Sequence, residues 1–218
     1  MNKPVKLVPT EPDSIGFSAD EFAALVARGA FTGMDVALVE REPVKAGGGF
    51  TAADYEAMIG RDVFRPMRVE LARGRLVRVA PAYLPHGHFI PCLIMALYEA
   101  IGKSAPLLCD VITLLTDDTV LSPDLVLATS RDLPEKGLPA ALVALAIEVS
   151  HTTLKRDLGW KARDYAAAGI PHYWVVDILA KTTHVFAEPS SDGYRRHDRV
   201  RFADPLAIPG HEATITLA

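Results

Sequence analysis

Glu148 stands near the end of Leu142–Val149 (LVALAIEV), a run that is otherwise wholly apolar. A carboxylate inside such a strand costs several kcal/mol unless it is paired or binds a cation. Asp124 follows Ser122-Pro123 and opens a second apolar stretch, LVLA. Taken singly, Glu148 reads as half of a salt bridge and Asp124 as a turn residue. Two carboxylates on neighbouring buried strands suit a hard divalent cation. Mg²⁺ takes one or two such carboxylates together with waters and phosphate oxygens of a substrate. Glu70 could supply a third. On a strand over 67–72 it shares a face with Arg68 and Ala72, and its plain alternative is a surface Glu among arginines.

A positive charge follows the acids. Asp157 and Lys161 are four residues apart on a helix expected over 154–168, with Asp164 and Tyr165 one turn further along the same side. The pair is either solvated or delivered to the acids, because this helix leaves the strand that carries Glu148. His86, at the start of another helix, reads by itself as a cap or a surface residue.

The elements that must position these residues are legible in outline. A helix over 51–59 is followed by strands 67–72 and 75–80, joined at Arg73-Gly74. A helix over 86–102 carries Ile90, Leu93, Ile94, Leu97 and Ile101 along one stripe. Strands are expected near 106–115, 124–129 and 142–149, the last covered on both faces. The helix over 154–168 stops at Gly169, with Pro171 just beyond. Strands over 171–177, 182–187, 194–202 and 213–217 close the chain.

Composition narrows the class. The chain has 218 residues, 50% hydrophobic and 23% charged, with a formal net charge of −4. That is enough to bury a core, and it argues against disorder and against wrapping nucleic acid by bulk charge. No apolar run is long enough to span a membrane. Met1 to Asp13 is polar, holds three prolines and lacks the apolar core of a signal peptide, so a cytoplasmic location is expected. Cys92 and Cys109 read as buried, reduced thiols.

A shift of 33 residues lays Phe17-Ser18-Ala19 on Phe50-Thr51-Ala52, Phe31 on Phe64, and Met34–Leu38 on Met67–Leu71. Each copy reads as a capped short helix and two strands, with Gly47-Gly48-Gly49 as the joint. Ala37 stands in the first copy where the second has Glu70. The expected division is therefore an N-terminal extension, 1–48, that is a degenerate copy of the unit after it, and a main domain, 49–218.

Pro123-Asp124, Glu148 and a displaced Lys161 resemble the PD-(D/E)XK nuclease superfamily. The standard motif has its Lys two residues after the Glu, where this chain has Ser150. The closer resemblance is to the Uma-type family of restriction-endonuclease-like proteins, whose Lys sits on the following helix. It is carried by Val69-Glu70-Leu71 with Gly74, Pro81, His86, Pro123-Asp124, Glu148-Val149-Ser150, Asp157, Lys161, Tyr165, Gly169-Ile170-Pro171 and Tyr173–Asp177. Arg73 replaces an acidic residue of the family, and His151 enters its Ser/Thr-rich segment.

The resemblance implies an α/β (α+β) fold, a restriction-endonuclease-like mixed central sheet flanked by helices. It implies a DNA endonuclease acting as a homodimer, with Mg²⁺ (Mn²⁺ as substitute) held by Asp124, Glu148 and Glu70. Lys161 would orient water or offset charge on the phosphate, and His86, Asp157 and Tyr165 would support the acids or touch substrate. On this footing Glu148→Ala should leave stability unchanged or raised, by relieving repulsion between carboxylates. Two arginine clusters, Arg61, Arg65, Arg68, Arg73, Arg75 and Arg78, and Arg195, Arg196, Arg199 and Arg201, would supply weak, salt-dependent DNA affinity. The rival reading is a nuclease fold kept as a silent binding or assembly module.

Overall fold

The computed structural model describes residues 16–79 and 84–218. The polar N-terminal stretch, Ala80 and Pro81 lie outside them. In chain order the first elements are α1 (Ala19–Ala27), β1 (Val36–Val39), β2 (Glu42–Lys45), α2 (Ala52–Gly60), β3 (Arg68–Ala72), β4 (Arg75–Val79) and α3 (Leu84–Ile101). Next come β5 (Leu107–Cys109), β6 (Thr113–Thr116), β7 (Thr119–Leu121), β8 (Leu125–Ala128), β9 (Leu138–Pro139) and β10 (Val143–Ser150). The last are α4 (Leu154–Arg156), a π-helical turn (Asp157–Lys161), α5 (Ala162–Ala167), β11 (His172–Asp177), β12 (Thr182–Ser190), β13 (Gly193–Arg201), β14 (Leu206–Ala207) and β15 (Thr214–Ile215).

The chain divides into two compact units, one running to residue 81 with Thr116–Leu121 added, the other comprising Ala82–Leu115 and Ser122–Ala218. In this division α1, β1 and β2 fall in the same unit as α2, β3 and β4.

In the first unit the order helix, hairpin recurs. Ser18 and Glu21 form a capping box on α1, and Thr51 and Asp54 form one on α2, each satisfying two backbone N–H groups at the helix start. The β1–β2 turn places Glu40 and Arg41 at φ 48 and 67, and the β3–β4 turn places Arg73 and Gly74 at φ 52 and 75. Both turns have the double positive φ that matches strand twist in tight hairpins. Gly74 is also needed for close approach, since a Cβ on Gly49 would lie 2.9 Å from its Cα. On the other side of β3, β7 pairs antiparallel at Leu71 and Val120. The core joins both halves, with Phe17, Leu25 and Phe31 buried alongside Phe50, Tyr55, Met58 and Phe64. Phe31 and Phe50 have ring centroids 5.9 Å apart.

The second unit is built on a six-stranded mixed sheet in the order β13-β12-β11-β10-β8-β5. Its one parallel pair, β10 with β11, is joined through α4, the π turn and α5, the crossover anticipated from the pattern. One sheet face packs Leu125, Leu127, Leu145, Ile147, Val149, Trp174 and Val176 against Leu93 and Leu97 of α3 and against Leu206, Ile208, Ile215 and Leu217. Tyr173, on the opposite face, stacks near Tyr165 of α5, with centroids 4.7 Å apart. Tyr173 and Trp174 are fully buried and belong to the core rather than to a base-stacking surface.

Two expectations about this unit are corrected. The strand expected near 106–115 is broken at Asp110, which has φ 50; β5 pairs with β8, and β6 pairs with β9. Cys92 and Cys109 are free but exposed. Cys92 precedes Leu93 on α3 and so lies a third of a turn off the buried stripe, and Cys109 ends an edge strand. Among the described residues no helix is long and apolar enough to cross a membrane.

Candidate active site

The central pairing places the acids. Strand β8 runs antiparallel to β10 with Val126 opposite Ala146 and Leu125 opposite Ile147. One step further in this register, Asp124 falls level with Glu148. Its Oδ2 accepts a hydrogen bond from the Val149 N–H at 2.7 Å and faces His86 Nε2 at 3.0 Å. The Asp110 N–H donates to the Asp124 carbonyl at 3.2 Å, which holds the backbone there. Strand β8, strand β10 and helix α3 thus converge on one carboxylate, and His86 is a direct partner rather than a cap.

Glu148 is 4% exposed, and its Oε1 accepts from Lys161 Nζ and from Tyr165 Oη, both at 2.9 Å. Lys161 is 1% exposed. The sequence spacing suggested an Asp157–Lys161 pair at i and i+4, and that pairing does not form. Gly159 has φ −94 and ψ −106, outside helical values, so the helix is kinked between Asp157 and Lys161. The kink swings Lys161 off the Asp157 row, and its Nζ reaches Glu148.

Asp157 instead ties down the segment after β10. Its carboxylate accepts from Ser150 Oγ at 2.5 Å, from Thr153 Oγ1 and, at 3.3 Å, from Arg156 Nε. Ser150 therefore anchors Asp157 at the position where the standard motif has Lys. Tyr173 donates to the Asp157 carbonyl at 3.0 Å. Burial first, and then the nearby Glu148 and Asp157 charges, push the Tyr173 hydroxyl well above its usual range, so it stays protonated as a donor. Asp177 caps a turn by accepting from the Leu179 and Ala180 N–H groups.

Glu148→Ala was expected to be neutral or stabilising. The Lys161 contact reverses that, because the substitution would leave a buried ammonium without its counter-charge.

Glu70 lies in the first unit, on β3 opposite Val77. It is 3% exposed, so it is not a surface Glu among arginines. The neighbouring arginines are largely engaged. Arg75 pairs with Glu42, Arg78 with Glu21 at 2.7 Å, and Arg61 donates to the Ala30 carbonyl at 3.3 Å. In the second cluster Arg196 pairs with Asp198 and Arg201 with Asp204 on the exposed strand β13.

A family profile described as "Putative restriction endonuclease", Uma2, matches residues 52–218. This chain belongs to the Uma2 family. The match takes in every residue of the Asp124–Glu148–Lys161 network and leaves α1, β1 and β2 outside it. Comparison with curated proteins finds no match. Among solved structures, one described as "a putative nuclease belonging to DUF820 from Anabaena variabilis ATCC 29413" is similar to this Uma2 chain at 14% identity and a TM-score of 0.49. It covers 65% of this chain and 81% of the other.

Proposed function

We propose that the protein is a Mg²⁺-dependent endonuclease that hydrolyses DNA phosphodiester bonds as a homodimer, with Mn²⁺ able to replace Mg²⁺. The observation that carries this reading is the placement of Asp124 level with Glu148 on adjacent central strands, with Lys161 on the second acid. Two neighbouring hard carboxylates fit Mg²⁺, which completes its shell with waters and substrate oxygens. Among the described residues no group of three or more His, Cys, Asp or Glu is placed to hold a metal. Asp124 and Glu148 would hold Mg²⁺, which would supply positive charge against the phosphate and make a bound water more acidic.

The chain's own residues prepare that site. The Val149 N–H and His86 fix the Asp124 carboxylate, and Lys161 with Tyr165 fixes that of Glu148. Lys161 is deeply buried and committed to Glu148, so it acts as a positioning residue rather than as a donor to the phosphate. Without its cation a buried carboxylate favours the protonated form. Lys161→Met should therefore move divalent-ion binding to higher pH. A Lys161 that touched the phosphate would instead lower kcat with the metal dependence unchanged.

The test is cleavage of supercoiled plasmid with Mn²⁺ or Mg²⁺, wild type beside Asp124→Asn. Nicking by wild type that disappears in the variant supports the reading. No nicking by a folded wild type sinks it. Glu70, whose part as a further acid rests on the family resemblance, is tested in the same assay by Glu70→Gln: retained cleavage removes it from the mechanism.

The second reading, a silent module, is favoured by the closed Lys161–Glu148 pair, which satisfies both charges internally. It requires that Mn²⁺ titration show no heat that depends on Asp124.

A further inference from the structure

The first unit contains a pocket of about 380 Å³ lined by residues of α1 and its C-cap Arg28, the segment before β3, the first residue of β3, and β4. Among the described residues four guanidinium groups line it, those of Arg28, Arg65, Arg68 and Arg78, together with one acid, Glu21. We propose that this pocket binds the phosphate group of a nucleotide unit. The affinity for phosphate is argued from the first unit alone, whereas the choice of a nucleotide as its carrier rests on the nuclease reading.

Two of the cations are held in place by the fold. Arg28 donates through Nη1 to the carbonyls of Val63 and Arg65, which orient its guanidinium and leave its charge unneutralised. Arg78 is fixed by Glu21 Oε1 at 2.7 Å, while Glu21 Oε2 accepts the Ser18 N–H in the α1 capping box. Arg65 is 84% exposed at its side chain, reached by Asp62 only at 3.6 Å. Among the described lining residues four arginines thus stand beside one acid, in a chain whose net charge is −4. Like charges drawn together in a concavity repel, and they focus potential on an anion that enters. The planar guanidinium fork matches two oxygens of a phosphate at once. The lining also includes Met67, an apolar surface for the organic part of the ligand.

The test is binding measured in EDTA, so that no cleavage intervenes. The probes are inorganic phosphate, a deoxynucleoside 5′-monophosphate, the uncharged nucleoside and a short single-stranded oligodeoxynucleotide. Wild type should bind the phosphate-bearing probes and ignore the nucleoside. Arg65→Gln with Arg68→Gln, at two exposed positions, with folding checked by the melting temperature, should weaken that binding about tenfold or more, as expected when charge-assisted contacts are lost. Glu21→Gln keeps a side chain that serves a capping box and removes the opposing charge, so it should tighten binding severalfold. Binding of the strand but not of the monophosphate would place the phosphate source in a strand backbone, with the salt slope falling by about 0.7 for each contact removed. Binding of both would make a free nucleotide an equal source. Failure of every phosphate probe to exceed the nucleoside, or unchanged binding in the double variant, overturns the proposal. Loss of Asp124-dependent cleavage with pocket binding intact would count against the nuclease reading alone.

Discussion

Glu148 and Lys161 form an ion pair whose side chains are 5% and 2% exposed, and the chemistry proposed for the site depends on what that pair does when disturbed. Breaking such a pair from one side leaves a buried charge, at a cost of about 3–5 kcal/mol. Lys161→Met and Glu148→Gln should each lower stability by an amount on that order, read from urea midpoints. Replacing both, as Glu148→Gln with Lys161→Met, should recover most of the loss, because the buried pair's attraction roughly offsets its desolvation. A strictly additive double variant would mean that the two side chains are not coupled. Tyr165→Phe removes one donor to the same oxygen and should cost about 1.5–3 kcal/mol, typical of a hydrogen bond to a charged group. These stability effects are separable from cleavage, since Asp124→Asn leaves the Lys161 contact untouched.

The β12–β13 hairpin carries its own titration. His184 Nδ1 lies 2.9 Å from His197 Nε2, and the rings are stacked. Burial, the neighbouring His197 and Arg199 hold His184 below its usual value, with Asp177 opposing them. Burial and Arg199 also lower His197, with Asp198 opposing. A depressed histidine resists protonation in the fold, while the unfolded chain takes up its proton near pH 6.5. Stability is therefore full above that pH and is lost as pH falls below it. His197 is largely solvent-exposed, so His184, at 5% exposed, should carry most of the effect. The slope should reach at most about 1.4 kcal/mol per pH unit. Urea midpoints at pH 7.5 and 5.5 should differ more in wild type than in His184→Gln; equal differences would assign the loss to other groups.

At the scale of the whole chain, the family match begins at residue 52, yet the first compact unit binds what precedes it. Leu25 and Phe31 are buried in that unit, and Arg61 and Arg78 contact Ala30 and Glu21 of the preceding segment. A chain beginning at residue 49 should lose at least the burial of those two side chains, about 3–6 kcal/mol. It should bind a hydrophobic dye and melt earlier than the full chain; an unchanged melting temperature would make 1–48 a passive appendage. Charge follows the same logic. Glu21 and Glu42 engage Arg78 and Arg75, so the first arginine cluster offers less field than its count suggests. DNA affinity should accordingly be weak and steeply dependent on salt.

Patterns of short range were enough to locate much of this. The apolar run of β10, the Gly169-Pro171 stop and the capping residues Ser18 and Thr51 act within a few residues, so composition and spacing expose them. For the same reason Asp124, Glu148 and Lys161 could be singled out, since each is a charge set against an apolar background. What joins them was not legible. The level register of Asp124 with Glu148 depends on pairing between strands far apart in sequence. The Lys161 contact depends on one non-helical residue, Gly159, whose turn redirects everything after it. Local pattern also failed where packing outranks propensity: the break at Asp110 and the exposure of Cys92 and Cys109. A sequence declares which residues need partners, because burial cost is a property of the side chain. Which partners they receive is decided by the tertiary structure, because distance is a property of the fold.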